Sequence, residues 1–73
     1  MVSEYVVIYE QGVTGWGAYC PDLPGLGAAA ATREEVERLI REAINLHIES
    51  LREHGEDVPP ATSAAGTIVV GTA

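Results

Sequence analysis

Lysine is absent from this chain, and four arginines face eleven acidic residues, giving a net charge of −7 over 73 residues. A surface of that sign repels phosphate backbones, which argues against direct binding of DNA or RNA. It suits a basic protein partner, because complementary fields speed encounter and select among partners. Cysteine is nearly absent too: Cys20 stands alone, so no disulfide can form within the chain. A lone thiol points to a reducing, cytoplasmic setting. Long hydrophobic runs are missing, and none nears the roughly 20 apolar residues of a membrane span. The first ten residues lack the basic start and apolar length of a secretory leader. Length leaves room for one small domain over residues 1–73, and a domain of this size buries only about 60% of its unfolded surface. Self-association commonly supplements so thin a core, so a homodimer or higher homo-oligomer is expected.

Recognisable catalytic machinery is also missing. There is no phosphate loop, nucleophile elbow or nucleotide fingerprint. His47 and His54 lie two helical turns apart, with no cysteine or acid pair at metal-ligand spacing. Cys20 precedes a proline at a strand end, with no helix N-terminus or cation nearby to lower its pKa. A two-metal nuclease needs several carboxylates converging from strands. Here Glu4, Glu10 and Asp22 are the only acids outside residues 34–57. No catalytic, cofactor or metal site is expected, and the chain reads as a non-enzyme.

What is present is a stiff six-residue segment, Pro21-Asp22-Leu23-Pro24-Gly25-Leu26. Each proline disfavours helix in the residue before it, so Cys20 and Leu23 should be extended, and Gly25 frees a tight turn. Strands flank this loop. Residues 3–10 contain Tyr5, Val6, Val7, Ile8 and Tyr9, all strong β formers, and their near-continuous apolar character predicts a central strand covered on both faces. Two glycines in residues 11–15 make a hairpin loop. Residues 16–20 form the second strand, with Trp16, Ala18 and Cys20 on one face and Tyr19 on the other. Residues 27–30 form a short third strand.

A helix follows. Thr32-Arg33-Glu34-Glu35 is a capping box. Val36, Leu39, Ile40, Ala43, Ile44, His47 and Leu51 then recur at helical spacing, with Leu46 and Ile48 beside them. Glu34–Arg38 and Glu37–Arg41 stand as i,i+4 pairs, and Gly55 supplies the C′ position. The apolar arc spans about 200°, against roughly 100° for a helix covered on one side. The surplus around Leu46, His47 and Ile48 is assigned to self-association. After Pro59 and Pro60, residues 67–70 read as a final apolar strand. The fold class is α+β, in the order β-β-β-α-β. An antiparallel meander carries one helix on its face, and the last strand returns parallel beside the first through a right-handed crossover.

Read together, these residues resemble the HicB-like antitoxin family. The likeness runs from about residue 5 to residue 60. It rests on the first strand, the aromatic second strand, Pro21-Asp22-Leu23-Pro24-Gly25, Thr32-Arg33-Glu34-Glu35-Val36, Glu42-Ala43-Ile44 and His54-Gly55-Glu56-Asp57-Val58-Pro59. The chain departs from the family pattern at Leu26, where cysteine is usual, and at Ala30-Ala31-Thr32, where a Gly-acid-Thr triplet is usual. No C-terminal DNA-binding segment is expected, so operator binding is not transferred. The resemblance implies a partial RNase H-like fold without catalytic acids. It further implies a role in binding and neutralising a small basic ribonuclease toxin, an mRNA interferase. Trp16, Tyr19, Asp22, Leu23 and Pro24 are the expected partner contacts: Asp22 for a cation, Leu23 and the aromatics for buried area. Core packing is the competing role for Trp16 and Tyr19. Two other functions fit the residues, an orphan homo-oligomeric domain with a ligand-binding or structural role and a degenerate nuclease.

Overall fold

The computed structural model describes residues 3–71, so the two outermost residues at each end of the expected domain lie outside it. Three short strands and one helix follow in chain order: β1 (Ile8–Gln11), β2 (Trp16–Tyr19), β3 (Gly27–Ala30) and α1 (Arg33–Glu53). The strands form an antiparallel meander in the order β1-β2-β3. Ile8 lies opposite Tyr19 and Gln11 opposite Trp16, while Trp16 lies opposite Ala30 and Tyr19 opposite Gly27. The β1–β2 hairpin closes with Gly12 donating to the Gly15 carbonyl at 2.7 Å.

Strand alternation sorts the side chains. Val7, Tyr9, Trp16, Ala18, Ala28 and Ala30 face α1 and pack on Val36, Ile40 and Ile44. Alanine in β3 thereby has a purpose: small side chains let the helix sit close on β2 and β3, the strands it packs against. Thr32 caps α1 as expected, its hydroxyl accepting from the Glu35 amide at 3.2 Å. At the far end Gly55 takes a φ of +68°. Glu56 donates to the Leu51 carbonyl at 2.9 Å and Gly55 to that of Arg52 at 3.1 Å. That pair of bonds is a Schellman cap.

The structure corrects several expectations. No fourth strand forms among the described residues: 67–70 join no sheet, and Ile68, Val69 and Val70 are 87%, 96% and 77% exposed. Without that neighbour the first strand is an edge rather than a central strand, and its sheet pairing starts at Ile8 instead of residue 3. Local β propensity marks both segments as strand formers, but pairing depends on what lies alongside. One helix ion pair also differs. Arg41 meets Glu37 at 3.1 Å as expected, whereas Arg38 turns to Glu42 at 3.2 Å instead of Glu34.

Candidate functional site

The proline loop is two successive turns sharing one residue. Leu23 donates to the Cys20 carbonyl at 3.1 Å, and Leu26 donates to the Leu23 carbonyl at 3.3 Å. Each turn has proline in its second position, and Gly25 occupies the third position of the second turn with φ +84°. That is the residue pattern of a type II turn, whose third position needs positive φ. The double turn drives Leu23 inward, where it is 0% exposed beside the buried Cys20, and leaves Pro24 on the surface.

Asp22, between the two prolines, is aimed at the chain's own C-terminal segment. Its carboxylate accepts four hydrogen bonds. They come from the amide and hydroxyl of Thr62 at 3.0 and 3.1 Å and from the amide and hydroxyl of Ser63 at 3.0 and 2.8 Å. Hydrogen bonds to the ionised form favour it. The Ser63 amide and then the Ser63 hydroxyl hold the carboxyl below the usual carboxylate range, slight desolvation opposes them, and Thr62 adds to the lowering. A second tie lies nearby, the Tyr5 hydroxyl donating to the Pro59 carbonyl. The segment after α1 is thus fastened across the lower end of the sheet.

The expected contact residues therefore divide. Asp22 is engaged within the chain, and Leu23 has no surface to offer. Trp16 is half-buried, with the Arg33 guanidinium 6.0 Å from its ring and 4.6 Å from that of Tyr9. Tyr19 is 43% exposed on the sheet face opposite α1, beside its register partner Ile8. Pro24 is exposed at the rim of the same end. On the helix, Leu46 is 66% exposed, whereas His47 and Ile48 are partly covered.

Two features escaped the sequence reading. One is the Thr62-Ser63 anchor, whose only signal was a pair of hydroxyl residues in an otherwise small and apolar connection. The other is a groove of ≈ 460 Å³ between residues 3–9 and α1, lined by apolar side chains such as Val7, Tyr9, Ile40 and Ile44 and by the polar Glu37, Arg41 and Asn45. It exists because α1 lies over β2 and β3 and leaves the β1 side open. Among the described residues no three His, Cys, Asp or Glu side chains are grouped to hold a metal ion. No described helix is long and apolar enough to cross a membrane.

The scaffold is an α+β domain, a three-stranded antiparallel meander followed by one capped helix, with the proline turn between β2 and β3. Residues 5–69 match the HicB-like antitoxin family of bacterial toxin–antitoxin systems, and the chain belongs to that family. It is also similar to the UPF0150 protein ssr1765 of Synechocystis sp. (strain ATCC 27184 / PCC 6803 / Kazusa). The two are 39% identical over 59 residues, covering 80% of this chain and 75% of the relative. No solved structure matches the chain significantly.

Proposed function

We propose that this chain is a non-catalytic antitoxin of the cytoplasm that binds and neutralises a small, basic mRNA-interferase toxin. The observation that carries this reading is membership of the HicB-like antitoxin family over residues 5–69. The charge supports it, since a net −7 surface attracts a cationic protein. So does the sheet face opposite α1, where Tyr19, 43% exposed, offers apolar area beside its register partner Ile8. Tyr19 and Pro24 are the direct contacts in this reading, with Trp16 at the margin. Asp22 and Leu23 act through shape: one fixes the tail and the other anchors the loop, so that Pro24 and Tyr19 are presented in a set geometry. A degenerate nuclease fits less well, because Asp22 already accepts four hydrogen bonds from Thr62 and Ser63.

The test mixes this chain at low ionic strength with any small basic protein that a neighbouring reading frame proves to encode, and follows the mixture by size-exclusion chromatography. A stable co-eluting complex is expected, weakened by added salt. Tyr19→Arg should weaken it at least tenfold without unfolding the chain. A neighbouring toxin that never co-elutes at any salt concentration contradicts the proposal.

A further inference from the structure

Two unsatisfied features of this molecule match each other. The first is the β1 side of the sheet. Strand β1 is an edge, residues 3–7 continue it without a ladder partner, and the ≈ 460 Å³ groove beside it has Val7, Tyr9, Ile40 and Ile44 among its lining, with Glu37 and Arg41 at its helix side. The second is residues 67–70, Thr-Ile-Val-Val, a β-branched run between Gly66 and Gly71 that is exposed throughout. Residues 64–71 make no hydrogen bond to any other described residue. No charge interrupts the chain from Val58 to Gly71. Bare strands of this composition pair with whatever edge is offered, and proteins normally keep them covered.

The path of the chain directs that pairing outward. The segment after α1 touches the lower end of the groove at Val58 and beside Tyr5 at Pro59. It then reaches Asp22, on the loop after β2, where Thr62 and Ser63 are fastened by four hydrogen bonds. The clamp thus ties the chain to that loop before the apolar run begins, and in the single chain the run beyond it pairs with no described strand. The molecule is elongated: the radius of gyration is 14.5 Å, with extents of 53 × 26 × 19 Å. A globular chain of this length has a radius of about 11 Å.

We propose that residues 67–70 of one copy add as a strand to the β1 edge of a second copy. Ile68 and Val70, on one face of the arm by strand alternation, fill the groove between residues 5–9 and α1. The exchange is reciprocal about a two-fold axis, so each copy contributes one arm and receives one. Asp22 is the positioning residue that aims the arm. This assembly needs no toxin, and its failure would leave the antitoxin reading intact.

The purified chain, without any partner, is examined by analytical ultracentrifugation beside a variant ending at Ser63 and an Ile68→Asp variant. The wild type is expected to be a dimer and both variants monomers that keep the helical circular dichroism signal. Leu46→Asp, on the outer helix face, should leave the dimer intact. Exchange itself is read by mixing two Cys20→Ala chains, one carrying Val7→Cys and the other Ile68→Cys. A disulfide joining the two different chains supports the proposal. A monomeric wild type, a dimer that survives loss of the arm, or a dimer broken by Leu46→Asp alone overturns it. So does a disulfide that forms only within one chain when both cysteines are placed together, and so does an arm that becomes protected only on addition of toxin.

Discussion

At Gly15 a single added methyl group would land on the Ala30 carbonyl oxygen, a backbone atom that cannot swing aside. Gly15→Ala should therefore cost about 1–3 kcal/mol in chemical denaturation, the usual penalty of overpacking. Gly12→Ala in the same hairpin would meet only the Gly15 carbonyl at an ordinary 3.6 Å, so it should stay within about 0.5 kcal/mol of wild type. Leu23 tests the opposite fault. It is wholly buried, so Leu23→Ala should cost about 2–5 kcal/mol, while Leu23→Met keeps volume and should cost under about 1.5 kcal/mol. Asp22 gives a pH signature. Its folded-state pKa is depressed by Ser63 and Thr62, so the clamp is complete above the unfolded carboxylate pKa and is lost as pH falls through the lower, folded value. Hydrogen exchange at the Thr62 and Ser63 amides should speed up severalfold across that acidic window. In Asp22→Asn those amides should exchange at a rate independent of pH there, once intrinsic exchange chemistry is divided out. The same pH dependence of protection in the variant would contradict the clamp.

At the scale of elements, two short motifs hold most of the architecture. Gly25 at φ +84° closes the second proline turn, and an alanine there meets no neighbouring atom. Gly25→Ala should thus cost only the left-handed backbone penalty of about 1–2 kcal/mol, read as a lowered denaturation midpoint. Thr32→Ala should cost about 1 kcal/mol through loss of the helix cap. These motifs were legible in the sequence because each is local: a capping residue, a proline followed by glycine, and the glycine past the helix end all act within a few positions of themselves. Trp16, Ala18, Val36 and Ile40 were legible for a related reason, since periodicity places them on the inward faces. Distant pairings were not. Nothing near Asp22 foretold acceptance from Thr62 and Ser63, forty residues away in sequence, and an acid in a turn reads equally well as a partner contact. Nor could the β-branched run at residues 67–70 reveal which edge it would meet. Its apolar pattern alone suggests β1 of the same chain as neighbour, whereas residues 67–70 join no described sheet.

For the whole molecule, charge and shape set the behaviour. A chain with net −7 and no lysine should bind a cationic toxin faster at low ionic strength, with the association rate falling more steeply than the dissociation rate rises as salt is added. Stopped-flow measurements from about 20 mM to about 500 mM salt would check this, spanning the range over which the screening length shrinks below the size of the interface. The most direct test of the antitoxin account is a cleavage assay. Any small basic ribonuclease found encoded beside this chain is purified and incubated with labelled mRNA, alone and with rising amounts of this chain. Cleavage should fall to background near stoichiometric addition, and the Tyr19→Arg chain should fail to suppress it at the same concentration. Undiminished cleavage with this chain in excess, under conditions where the chain is folded, would contradict the account.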